Sequence, residues 1–206
     1  MLILADTCSV LMLLRIAPDM FSDPLYECVT TAEVLRELKS NQKFRTKYPW
    51  LKSLLPSVKC IRNSELDTKD YNTALSTVEL LLSTNPINEK TNKVFDLSRV
   101  DRHIIACAAA NNLTITTGET DIIDFAEQEF SIKSFSALGV LNIWIEKGLV
   151  DCNDNLLTVI DDWEQSREAE QATDDIGNFQ KLTKNFYLGP AQKAKCKKAK
   201  KKLKKD

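Results

Sequence analysis

Short apolar runs alternate with stretches of helical periodicity along this chain, and turn or capping residues mark most of the changes. Leu2 to Ala5 is an apolar run closed by Asp6, the pattern of a strand buried on both faces. A helix is predicted from Thr7 to Ile16, stopped by Pro18. The opening MLILADTCSVLMLL has no basic segment ahead of it and is broken by Asp6. It reads as strand and helix of the mature protein, not as a secretion signal. Glu27 to Val29 is a second short strand. Thr30-x-x-Glu33 then has the form of a capping box opening a helix, with Val34, Leu35 and Leu38 on its apolar side. Residues 43–56 form a short helical, basic and aromatic segment, Val58 to Ile61 a third strand, and Tyr71 to Leu82 a helix. Ser98-x-x-Asp101 is another capping box, opening a helix to Asn111 with Ile104, Ile105 and Ala108 inward. Then follow a strand at Leu113–Thr116, a helix at Asp121–Glu129, a strand at Ser131–Ser134, and a helix at Ser136–Glu146 stopped by Gly148. Leu156 to Trp163 is a last core helix. Trp144 and Trp163 keep helical apolar spacing and are expected in the core.

Strands alternating with helices predict a parallel, doubly wound sheet in a three-layer α/β/α fold. Such sheets bind ligands at the carboxyl ends of their strands. Residues 1–165 form the predicted domain, 166–190 a polar extension, and 191–206 a lysine-rich, low-complexity tail that reads as flexible and disordered when free.

Composition narrows the chemistry. No apolar run approaches the ~20 residues of a membrane span, so no membrane partner is expected. Six scattered cysteines without a CxxC pair, and a single histidine, His103, argue against a Cys/His zinc site and against histidine-based nucleophilic catalysis. The cysteines suit a reduced, cytoplasmic setting. The net charge of −1 hides an asymmetry. Residues 193–206 hold nine lysines and one aspartate, leaving 19 basic and 28 acidic residues in the first 192.

Acids recur where the sheet would bind a ligand. Asp6 ends the first strand, and Glu119 and Asp121 follow the strand at 113–116. Asp101 lies in a first helical turn, and Glu37 lies one turn beyond Glu33. Two carboxylates ~4 Å apart repel by about 4 kcal/mol at an effective dielectric near 20. They must share protons or bind a cation. An all-oxygen ligand set suits Mg²⁺ or Mn²⁺, and such ions can activate water and stabilise an in-line phosphoryl displacement.

Four ordered segments carry a family resemblance: Leu4-Ala5-Asp6-Thr7, Thr30 to Glu37, Leu97 to Ala106, and Ile115 to Asp121. In these the chain resembles the PIN-domain ribonucleases over roughly residues 1–150. The resemblance implies a PIN-like fold and a Mg²⁺- or Mn²⁺-dependent endoribonuclease, a hydrolase of RNA phosphodiester bonds. Asp6, Glu37, Asp101 and Glu119 would be its metal-binding, catalytic carboxylates. Asp121 would be a partner or substitute at the fourth position. Thr117 would orient the site by hydrogen bonding, with Thr7 beside Asp6 in support. Two departures stand out: Glu119 where the family usually has Asp, and Cys8 where it often has Asn or Ser. Ser9 is the residue placed to compensate for Cys8. The same resemblance allows an inactive RNA-binding scaffold, or a toxin held by a small antitoxin-type protein, and many members self-associate as homodimers. A phosphotransfer receiver, which also uses strand-end acids, would need paired N-terminal acids that are missing here.

Other residues have plainer readings. Asp101 can act as a capping acid, Glu33 caps better than it ligates, Asp124 reads as a solvated helix residue, and His103 as surface or packing. The segment with Lys43, Phe44, Arg45, Lys47, Tyr48, Trp50 and Lys52 reads either as an RNA contact, with cations on phosphates and rings on bases, or as an ordinary amphipathic helix. The tail lysines, Lys197, Lys198, Lys200 and Lys201 among them, suit salt-sensitive binding to a phosphate backbone, docking on the acidic body, or simple solubilisation.

Overall fold

The computed structural model describes residues 2–61, 68–166 and 173–183. The first strand, β1 (Ile3–Ala5), is wholly buried. Asp6 ends it and caps α1 (Thr7–Leu13), accepting a hydrogen bond from the Ser9 amide. The helix stops three residues short of the expected Ile16. The amides of Ile16 and Ala17 both turn back to the Leu13 carbonyl.

After β2 (Cys28–Val29) the chain enters α2 (Ala32–Ser40), whose N-cap is Thr31. The Thr30/Glu33 box is therefore corrected by one residue. The Thr30 hydroxyl is used elsewhere, donating to the Ala5 carbonyl at 2.7 Å. The predicted third strand at Val58–Ile61 shrinks to a single parallel bridge between Thr30 and Cys60. The basic-aromatic segment becomes two short helices, α3 (Gln42–Lys47) and α4 (Leu51–Leu54).

Beyond α5 (Thr68–Ser83) a hairpin appears that the sequence pattern did not announce: β3 (Ile87–Asn88) and β4 (Lys93–Val94), antiparallel. Next come α6 (Arg99–Asn111), β5 (Thr114–Thr116) and α7 (Thr120–Phe130). The expected strand at 131–134 begins later, as β6 (Ser134–Phe135), because Ser131 takes a left-handed conformation to end α7. The chain continues into α8 (Ala137–Glu146), α9 (Asp154–Ser166) and α10 (Thr173–Thr183).

Among the described residues, one parallel sheet of four strands runs in the order β2-β1-β5-β6, within a three-layer α/β/α arrangement. From β1 the chain steps outward to β2 through α1, and from β5 it steps the other way to β6 through α7. Right-handed crossovers put these two connections on opposite faces. The strand order thus reverses between β1 and β5, where Ala5 lies opposite Thr116. A doubly wound sheet leaves its binding crevice at such a reversal. Trp144 and Trp163 are buried in the core, as expected.

The stretch expected to be only polar contains α10, whose Phe179 is fully buried. Asp175 fixes it to α8, accepting from the Ser136 hydroxyl at 2.6 Å through its carboxylate and from the Asn142 amide at 2.9 Å through its carbonyl. Gly139 makes room, since a Cβ there would lie 3.2 Å from the Asp175 carboxylate. The lysine tail, with Lys197, Lys198, Lys200 and Lys201, lies outside the described residues. No helix among the described residues is long and apolar enough to cross a membrane.

Candidate active site

Asp6 sits at the sheet's reversal point and is 3% exposed. Its backbone amide donates to the Thr116 carbonyl at 3.1 Å, tying the end of β1 to the end of β5. Both carboxylate oxygens accept hydrogen bonds, from the Ser9 amide and from the Thr117 hydroxyl, each at 2.6 Å. Hydrogen bonds of this kind favour the charged form, and burial opposes it. Burial wins, and the Asp6 carboxyl is pushed up to about 6, with the charge of Glu119 adding to the rise.

Thr117 links two acids. Its hydroxyl donates to Asp6 and accepts from the Glu119 amide at 3.0 Å. Glu119 is the N-cap residue of α7 yet makes no side-chain cap bond. Its carboxyl pKa is raised, first by lost hydration and then by the charges of Asp101, Asp121 and Glu37. Glu37, half-buried on α2, accepts from the Thr7 hydroxyl at 2.6 Å. Asp101 closes the capping box of α6, accepting from the Ser98 amide at 2.7 Å and donating its own amide to the Ser98 hydroxyl at 3.3 Å. Its capping role is thus established. Asp121 gives one oxygen to the Asp96 amide at 3.0 Å and reaches the cluster through its effect on Glu119.

Cys8 registers the whole assembly. A thiol in the first turn of a helix would ordinarily be acidified. Here burial, followed by the charges of Asp6, Glu119, Glu37 and Asp101, pushes it up to about 12. Its Sγ lies 4.0 Å from Glu119 Oε1. Four carboxylates from four separated segments thus act on one sulfur atom. The thiol stays neutral near pH 7 and is no nucleophile there.

The chain matches no family model, no curated protein and no solved structure. The site is therefore read from its own geometry. Oxygen donors around a neutral thiol suit a hard dication such as Mg²⁺ or Mn²⁺ better than zinc. The acids are not drawn into a finished ligand shell. Among the described residues, no three His, Cys, Asp or Glu side chains are grouped so that they could hold a metal ion.

Several sequence-predicted residues lie elsewhere or behave differently. Asp124 is not solvated: it is 5% exposed and is held by Asn88 and Lys90, each at 2.8 Å. The rings of Phe44, Tyr48 and Trp50 pack against the core, so the basic-aromatic segment takes the amphipathic form. Lys43 is exposed, Arg45 turns back on the Lys39 carbonyl, and the Lys47 ammonium lies 5.1 Å over the Tyr48 ring. His103 pairs with Tyr71 Oη, a packing role as expected. Ser9 is buried and serves Asp6 with its amide, and its side chain also lowers the Asp6 carboxyl. The signal missed in the sequence was an aspartate directly preceding a helix, an N-cap pattern that aims the carboxylate at the amide three residues on.

Proposed function

We propose that this protein is a PIN-like, divalent-metal-dependent endoribonuclease. One observation carries the reading: Asp6, buried where the strand order reverses, is joined through the Thr117 hydroxyl to Glu119, whose Oε1 lies 4.0 Å from Cys8 Sγ. Mg²⁺ or Mn²⁺ bound there would relieve the like-charge repulsion and supply a lowered water pKa and Lewis acidity toward a phosphodiester. Asp6, Glu37, Asp101 and Glu119 would hold it, with Asp121 beside them.

The chain's own residues set the orientation. The Ser9 amide and Thr117 fix the two Asp6 oxygens, Thr7 fixes one Glu37 oxygen, and the Ser98 amide fixes one Asp101 oxygen. Each acid keeps lone pairs for a cation. RNA as the substrate follows from the resemblance, and the lysine tail would raise local RNA concentration by counterion release.

The test is cleavage of a labelled single-stranded RNA. Turnover is expected with Mn²⁺ or Mg²⁺ and none in EDTA. Asp6→Asn and Asp101→Asn should each lower the rate about a hundredfold or more while the circular dichroism spectrum stays unchanged. Undiminished cleavage by either variant in chelator would falsify the proposal.

A second reading, a non-catalytic RNA-binding scaffold, is favoured by one observation: three acids do not share an ion-sized site. RNA binding that is indifferent to metal, without turnover, would select it.

A further inference from the structure

A recess opens between helices. It is a cleft of about 260 Å³ between α2, α5 and α6, lined by Glu33, Ile61, Tyr71, Asn72, Leu75 and His103 among others. Two of its walls are helices that also carry cluster acids. Glu33 precedes Glu37 by four residues on α2, one turn along the same face, and His103 follows Asp101 on α6.

The charge of Glu33 is felt inside the cleft. Burial first, and Glu33 next, push the Tyr71 hydroxyl and the Cys107 thiol up to about 12, and both groups line the cleft. Tyr71 is held in place by His103: its hydroxyl bonds Nδ1, and the two rings stack with centroids 6.2 Å apart at 24°. Arg36 is 3.5 Å from Glu33 but mostly exposed. Such a surface pair is worth little and gives way readily.

Aliphatic and aromatic walls, a carboxylate and a neighbouring amide together suit an unpaired nucleobase, read along its Watson–Crick edge. The volume suits one base, being below the ~300–1,000 Å³ of ordinary small-molecule pockets. The carboxylate selects among bases. Guanine offers N1–H and N2–H₂ side by side as a matched pair of donors. Adenine, cytosine and uracil each present a single donor group on that edge, beside an acceptor. We infer that this cleft binds a guanine base and directs the proposed cleavage toward guanosine. The direction of cleavage rests on the nuclease reading; the base binding does not.

The test titrates guanosine 5′-monophosphate and adenosine 5′-monophosphate into the full chain without metal. Guanosine monophosphate should bind about tenfold more tightly, the discrimination of one bidentate contact. Glu33→Gln, equal in size, should remove that preference without changing thermal unfolding. Leu75→Trp should block both nucleotides by filling the cleft. Asp6→Asn should keep the preference, so a failed nuclease reading shows in the Asp6 variant and a failed base reading in the Glu33 variant. With RNA, cuts should fall beside guanosine and scatter in Glu33→Gln. Equal affinity for the two nucleotides, a preference that survives Glu33→Gln, or wild-type cuts that ignore guanosine would overturn the assignment.

Discussion

Two aspartates are almost equally buried in this protein, and their environments push them in opposite directions. Asp124 on α7 meets the Lys90 ammonium and the Asn88 amide. Burial works against its charge, but those two hydrogen bonds outweigh it and hold the carboxyl below its usual range. Asp6 has hydrogen bonds as short, yet burial outweighs them, with the charge of Glu119 adding a little, and its carboxyl rises to about 6. At Asp124 one hydrogen bond comes from a cation; at Asp6 the donors are neutral and do not outweigh burial. Asp124 has its cation built in, whereas Asp6 is held by the Ser9 amide and the Thr117 hydroxyl.

The largest expected effect is on the pH dependence of stability. The folded pKa of Asp6 lies above its unfolded value of 3.8. The folded state therefore holds the proton more tightly, and stability falls as pH rises from about 4 to 6. The shift corresponds to about 3 kcal/mol. Asp124 has the opposite sign: its contribution is present above the unfolded pKa and is lost as pH falls toward the folded one. Chemical denaturation of the metal-free protein from pH 3 to 7 should show both limbs. Asp6→Asn should flatten the upper limb alone. Adding Mn²⁺ at pH 7 should stabilise the wild type and leave Asp6→Asn unmoved, because a ligand of the native state stabilises by mass action. An upper limb unaffected by Asp6→Asn would show that other groups set it.

The next effect breaks the completed side. Lys90→Met leaves Asp124 buried with Asn88 alone and should cost about 2 kcal/mol, measured by denaturant unfolding. Asp124→Asn in the same chain should recover much of that loss. Additive losses in the double variant would mean that the pair does not act as a unit.

The smallest effect uses the thiol as a reporter. At pH 8 Cys8 should alkylate far more slowly than exposed Cys152. Glu119→Gln removes one of the four charges raising its pKa and should speed the reaction about tenfold, roughly one pKa unit. Mass spectrometry of labelled peptides reads both rates.

The places of three acids could be anticipated because each lies beside a local signal. Asp6 closes an apolar run, Asp101 completes a box with Ser98, and Glu119 follows a β-branched strand. What stayed hidden depends on partners distant in sequence. Asp124 looks like any helical acid until Asn88 and Lys90 arrive from more than 30 residues away. The Thr30 hydroxyl forms a tertiary bond to Ala5, and the helix cap passes to Thr31. The strands of the hairpin are two residues each, too short for any alternation to show. In α10 the apolar residues Ile176 and Phe179 stand out thinly in polar sequence, and α8 supplies the surface that makes theirs a core face.

The hairpin also has a consequence for how the site keeps its shape. Its backbone and side chains meet α7 at Asp121, Asp124, Glu127 and Gln128, a row running nearly the length of that helix. The strap ends at Asp96, two residues before the Ser98 that caps Asp101, and α7 begins at Glu119. The outwardly modest loop is thus a gauge between two acids on different elements. Lengthening or trimming it would shift their separation without touching either residue.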